Sequence, residues 1–265
     1  MSTLETRPEL AWVNIADMYV DAAYQRSTQS DASKKNLKWL VDNFSWSHCG
    51  ALIVCYVAAK KKYAVLDGQH RLAAATARGD IQQLPCLVIR DLDIEKQAKS
   101  FVVINTKRVT MNTLAKFHAA VAAGEPDAVS VQEIVDACNI EIPRTTVAKG
   151  DTGPRQLQAV GSLMAMLDRY TRKQIEWALT VIPEAYGEER GQLRASLVKA
   201  VVEFIKTNPD TDRERFIRAL ADIDPSVLEE NARSYTAING GTTTAARMVA
   251  LERAYKAAGR KGANA

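Results

Sequence analysis

The rhythm of apolar positions changes near residue 110. Before it, short apolar runs rich in Val, Ile and Tyr alternate with stretches of helical period; after it nearly everything repeats at three and four residues. Residues 11–20 predict an opening strand and turn. Residues 30–44 predict a helix, with Ser30 as N-cap and Leu37, Leu40 and Val41 on the buried stripe. The run 51–58 predicts a strand, Lys60-Lys61-Lys62 a hairpin turn, and 63–66 the returning strand. Asp67-Gly68 then breaks the strand, and 69–78 reads as a helix closed by Gly79. A strand at 84–90 follows, and a helix at 94–106 with Ile94, Ala98, Phe101 and Val102 facing the core. The second half predicts helices at 113–123, 127–138, 154–170, 172–185, 190–207, 212–221, 225–234 and 242–258, with a loop or short strand at 141–152. The expected architecture is an α/β (α+β) domain with a small mixed sheet over 1–110, then an all-α domain over 111–265.

Composition narrows the function classes. A chain of 265 residues allows one large or two modest domains, and 47% hydrophobic with 25% charged residues excludes wholesale disorder. No apolar run approaches the ~18 residues that a membrane-crossing helix needs. The first residues lack a basic stretch leading into an apolar one, so a cytoplasmic protein is expected. Cys49, Cys55, Cys86 and Cys138 form no CxxC pair, and the histidines are only His48, His70 and His118. That pattern argues against a disulfide framework or a zinc site. The net charge of +4 sits before Asn112, where 15 Lys+Arg face 11 Asp+Glu; from there on the count is 20 against 20. Such an excess permits an anionic partner without demanding one. The basic tail, Arg247, Arg253, Lys256, Arg260 and Lys261 against Glu252, reads as a solvated helix end.

The most distinctive string is Tyr63-Ala64-Val65-Leu66-Asp67-Gly68-Gln69-His70-Arg71. It is a strand, a glycine turn and a helix N-terminus, where first-turn N–H groups lack intrahelical partners and carry the positive end of the dipole. Gly68 lets an anion approach the backbone and Arg71 can fork onto a phosphate. The same residues also fit a purely structural turn, with Asp67 capping, Gly68 turning and Arg71 pairing a carboxylate. His70 reads as a phosphate ligand or general acid, or as a ring that fixes the loop; without a second histidine nearby the latter is favoured.

Three boxes, in order, resemble the ParB/sulfiredoxin-like superfamily, in particular its DGQHR branch in phage and plasmid genomes. They are Trp12-Val13-Asn14-Ile15 with Tyr24-Gln25-Arg26, then Asp67 to Arg71, then Phe101 to Arg108, preceded by Glu95. The resemblance spans residues 10–110. It implies a nucleoside triphosphate with Mg²⁺, held by Gln25, Arg26, Asp67, Gly68, Gln69, His70, Arg71, Asn105, Thr106 and Arg108, with Asn105 reaching the metal. Asn105 falls one turn after Phe101, which aims its amide toward the apolar face. Asp67, His70 and Glu95 are the candidate catalytic groups. Two positions depart from the pattern. Gln69 stands where sulfiredoxins carry a reactive cysteine, which argues against sulfinate reduction. Ile104 stands where CTP-hydrolysing ParB proteins carry glutamate, which argues against efficient hydrolysis.

ParB proteins place a helix-turn-helix after the nucleotide fold. Here residues 131–140 read as its first helix and turn, and 144–149 as a recognition helix presenting Arg144, Thr145 and Lys149 to DNA. Glu141-Ile142-Pro143 lengthens that turn and Thr145-Thr146-Val147 are poor helix formers, which weighs against it. The expected function is a ParB-like nucleotide-binding protein acting with DNA in a phage or plasmid setting, with no membrane partner and a homodimer allowed. The alternatives are an NTP hydrolase or ParB-like nuclease, and a phage accessory protein whose helical half binds another protein.

Overall fold

Ala64, Val65 and Leu66 are fully buried although they alternate sides of one strand, so that strand is covered on both faces. Around it the first unit forms. The computed structural model describes residues 7–25, 30–90, 92–107, 110–148 and 150–262, with the side chains of 260–262 excepted. The chain divides into two compact units, Met1–Val109 and Thr110–Ala265.

Unit 1 runs β1 (Glu9–Asn14), a 3₁₀ turn, β2 (Met18–Tyr19), α1 (Asp31–Asp42), α2 (Trp46–Cys49), β3 (Leu52–Val57), β4 (Lys62–Asp67), α3 (Gln69–Arg78), β5 (Gln83–Ile89) and α4 (Ile94–Thr106). The five strands make one mixed sheet in the order β1-β5-β3-β4-β2. β1 pairs antiparallel with β5 and β3 with β4, while β5–β3 and β4–β2 are parallel. Val65 joins Leu52, Val54, Leu84, Cys86 and Val88 in a cluster with Leu72 and Ala75 of α3, and α1 packs on α3. Ala64 and Leu66 point the other way, and α4 packs against β4. Helix ends follow local chemistry: Ser30 Oγ accepts from Ser33 N at the start of α1, and Gly79, at φ 75°, closes α3.

The core stripe expected on α4 is corrected. Ile94 and Val102 are more than half exposed, and the buried residue of this helix is Gln97. Its Nε2 donates to the Leu92 carbonyl at 2.8 Å and its Oε1 accepts from the Tyr24 hydroxyl at 3.3 Å. A glutamine with both ends satisfied is tolerated at this buried position, which the expected stripe did not include.

Unit 2 contains α5 (Thr113–Ala122), α6 (Pro126–Ala137), α7 (Val160–Leu167), α8 (Arg172–Tyr186), α9 (Ala195–Thr207), α10 (Arg213–Ala221), α11 (Pro225–Asn239) and α12 (Thr243–Gly262). α8 and α9 are buried along most of their inner faces, and Phe216 of α10 stacks against Phe204 and Trp177 at centroid distances of 4.7 and 4.8 Å. The recognition helix does not form. Arg144 to Ala148 lie in an irregular loop, with Arg144 and Thr145 exposed; Lys149 lies outside the described residues. The Gln158 side chain holds both backbone groups of Val147, accepting from its N–H at 3.0 Å and donating to its carbonyl at 3.1 Å. Val147 thus has both backbone groups answered without helix. The helix expected from 154 starts only at Val160, because Leu157 N donates to the Glu141 carbonyl and Glu141 N to that of Arg155. The basic tail is corrected as well: Arg247 is 5% exposed, paired with Glu229.

Candidate functional site

β4 ends at Asp67, and the chain enters α3 through Gly68 with φ 104°, a left-handed conformation that only glycine adopts without strain. A Cβ there would lie 2.6 Å from Cγ of fully buried Leu52. Gly68→Ala should therefore destabilise unit 1 by about 2–3 kcal/mol in chemical denaturation, from strained backbone and overpacking together. Gly79→Ala has open space around its Cβ and a φ of 75°, so its cost should be only about 1 kcal/mol.

Arg71, one turn into α3, reaches back under this turn. Its Nη1 donates to the carbonyls of Cys49 (2.7 Å) and Ala51 (3.2 Å), and its Nη2 to Asp67 Oδ2 (3.0 Å). Side-chain exposures of 20% and 14% make this a largely desolvated ion pair. The guanidinium thus ties the β4–α3 turn to the chain between α2 and β3. Arg71 pairs with a carboxylate and also lines the cleft above the turn.

Above the turn lies a cleft of about 490 Å³. Of the residues the sequence nominated, it is lined by Gln25, Asp67, Gly68, Gln69, His70, Arg71 and Asn105; Asn36 and Leu40 of α1, His48, Cys49 and Gly50 around α2, Leu66 of β4 and Phe101 of α4 complete it. Gln25 is fixed by a 2.7 Å bond from its Nε2 to the Val65 carbonyl. α3 offers its first-turn N–H groups with no side-chain cap and no acidic residue in that turn. Two buried polar atoms in this lining have no hydrogen-bond partner: Gln69 Oε1 and His70 Nε2. Buried polar atoms are paired in the great majority of cases, so two neighbours left open on one cleft mark a place for a ligand.

Other nominated residues fall elsewhere. Asn105 lines the cleft but is exposed, not aimed inward, and its Nδ2 donates to the Phe101 carbonyl at 2.8 Å. Thr106 is exposed, donates to the Val102 carbonyl at 2.7 Å and does not line the cleft. Glu95 is exposed at the other end of α4, ten residues or about 15 Å from Asn105, and cannot act beside it. Ile104 is half-buried and outside the lining. Arg26 and Arg108 lie outside the described residues. The sequence reading missed α2, a helix of four residues too short to show a period, and with it His48, the second histidine of the cleft. Cys49, the cysteine in the lining, has its thiol pushed up by burial, against the pull of Arg71, so it is held as a poor nucleophile. Among the described residues no group of three His, Cys, Asp or Glu can hold a metal by itself.

No helix among the described residues is long and apolar enough to cross a membrane. The chain is similar to the C-terminally truncated chromosome-partitioning protein ParB from Caulobacter crescentus complexed with CTP-gamma-S: 12% identity, 93% of this chain and 98% of that one, TM-score 0.37. The same protein complexed to the centromeric parS site overlaps at 13% identity, 91% and 99% coverage and TM-score 0.31. A Pnob8-like ParB-N domain overlaps at 14% identity, 98% and 99% coverage and TM-score 0.31. No curated protein matches the chain. Residues 20–264 match the model of a family of unknown function, DUF6551, and the chain belongs to that family.

Proposed function

We propose that the unit 1 cleft binds a nucleoside triphosphate and that the protein is a ParB-like nucleotide-binding protein acting with DNA. The observation that carries the ligand is the pair of unpartnered atoms, Gln69 Oε1 and His70 Nε2, beside the uncapped first turn of α3. Helix N–H groups at a glycine turn favour phosphate oxygens, and the amides and ring nitrogens around them supply directional bonds. Mg²⁺ would enter with the phosphates and keep most of its waters, as is usual for this ion, with Gln69 Oε1 and Asn105 Oδ1 the neutral side-chain oxygens of the lining open to it. Asp67 is engaged by Arg71, so the protein brings little charge to the metal itself. The DNA partner rests on the sequence resemblance and on the basic excess of the first 111 residues.

The test is calorimetric titration of the intact protein with each of ATP, GTP, CTP and UTP in the presence of Mg²⁺. His70→Ala should weaken binding by about 1–2 kcal/mol, the worth of a ring N–H donated to a phosphate oxygen. Gln69→Ala should weaken it by about 1 kcal/mol, since its Oε1 accepts from a ligand N–H or O–H or meets the metal; both should leave the melting temperature within a few degrees. Folded protein that binds none of the four rejects the reading. A gel-shift series with salt tests the DNA partner separately, since phosphate contacts make affinity fall steeply with salt.

A further inference from the structure

We propose a second anion site, in unit 2: the cleft between the first turns of α9 and α12 binds the phosphate group of a small phosphorylated molecule. This proposal does not depend on the nucleotide reading of unit 1.

The cleft has a volume of about 380 Å³, and its polar wall includes Arg169, Tyr170, Ser196, Lys199, Thr243 and Arg247. No carboxylate stands in the lining. Among the described residues Arg247 pairs with Glu229, which lies outside the lining, and Arg169 and Lys199 make no ion pair. Tyr170 donates its hydroxyl to Glu203 and Arg247 is offset by Glu229, so the wall keeps a surplus of about one positive charge, presented by exposed Arg169 and half-buried Lys199.

Arg247 gives the site a fixed floor. It is 5% exposed, and its Nε and Nη2 donate to Glu229 at 3.1 and 2.7 Å while Nη1 donates to Thr243 Oγ1 at 3.2 Å. A guanidinium has five N–H donors. One on each Nη is left without a protein acceptor, on a side chain too buried to be served freely by bulk water. The start of α9 adds to this: Arg194 caps it without a side-chain bond and its first turn holds no acid, so those N–H groups are also unanswered. The Thr244 hydroxyl stands in the same space; the Ser196 hydroxyl is already given to Glu229, and Thr243 Oγ1 accepts from Arg247 with its own proton left to donate.

Fixed guanidinium donors, two unpaired cations, helix N–H groups and hydroxyls together match the oxygens of a phosphate. Ala165 and Met166 add apolar surface to the lining that suits the body of a small molecule. A recess of this size accommodates a small ligand, whereas duplex DNA is contacted over an extended basic surface.

The experiment is titration of the intact protein, followed by calorimetry and ³¹P NMR, with inorganic phosphate, pyrophosphate and glucose 6-phosphate. Pyrophosphate and the sugar phosphate should bind, less tightly as salt rises; tighter binding of the sugar phosphate identifies an organic phosphate as the ligand class. Lys199→Gln and Arg169→Gln should each weaken binding about tenfold, equivalent to ~1.4 kcal/mol. Arg169 is exposed, so its replacement does not threaten the fold. His70→Ala in unit 1 should leave this binding unchanged. Affinity retained in the folded Lys199→Gln/Arg169→Gln double variant overturns the proposal. So does binding lost in His70→Ala instead, or no binding by any of the three probes.

Discussion

Arg71→Ala is expected to lower the stability of unit 1 by about 3–4 kcal/mol, because it removes one partner of a largely desolvated ion pair. The guanidinium meets three acceptors at once: the carbonyls of Cys49 and Ala51 and the Asp67 carboxylate. Truncation strips Asp67 of this cation and leaves the two carbonyls to water that reaches them poorly. For a unit of about 100 residues that loss corresponds to a fall in melting temperature of roughly 12 °C or more. Arg71→Lys should recover only part of it, since an ammonium on a flexible stem cannot span the three acceptors as a planar fork does. Thermal and urea melts of both variants are the measurement. A variant that melts like the parent but no longer binds nucleotide would return Arg71 to the role of phosphate ligand and remove the clamp described above.

Arg247→Met should cost unit 2 about 3–5 kcal/mol, for the related reason that Glu229 is left buried without its cation. Glu229 is a junction: it takes Arg247 from α12 in two bonds and the Ser196 hydroxyl from α9 at 2.6 Å, so three helices meet on one carboxylate. Removing both charges in Arg247→Met/Glu229→Met should restore most of the loss, because well-packed apolar side chains often replace a buried pair at no cost. Acid reads the same junction. Burial pulls the Glu229 carboxyl up, but the bonds from Arg247 and Ser196 together outweigh it and hold it below its ordinary value of about 4.5. With its folded-state value depressed, Glu229 contributes stability that is fully present above about pH 4.5 and is lost as pH falls through the folded value. Melting temperatures of the parent and Glu229→Gln should therefore converge below about pH 4.5. Curves that stay parallel throughout would mean that the ion pair contributes nothing to unit 2.

The location of the unit 1 cleft was legible along the chain because its floor is local. The Asp67-Gly68 turn, the start of α3 and the Gly79 stop depend on residues a few positions apart, and the structure forms them where the pattern placed them. Individual side chains were less legible. Arg71 carries the same letter whether it grips a phosphate or the Cys49 and Ala51 carbonyls, and those carbonyls lie some twenty positions away in the chain. His48 entered the cleft through a single helical turn that shows no periodicity. Where the recognition helix was expected, Pro143 and the poor helix formers after it leave a loop, and Gln158 from beyond it holds the backbone of Val147.

By itself, then, the sequence determined most strands and helices of the first unit, where Ser30, Asp67-Gly68 and Gly79 mark the ends, and that the second half is helical, but not every helix start there. Turn glycines, N-caps and apolar period act on the backbone within a turn or two. Tertiary structure alone decided which polar atoms are answered. Gln97 is satisfied in a core, Arg247 is buried on Glu229 though it opens a basic tail, and Gln69 Oε1 and His70 Nε2 are left open. The physical reason is that burial and pairing belong to groups distant in the chain, and a side chain's letter does not say which of them will arrive.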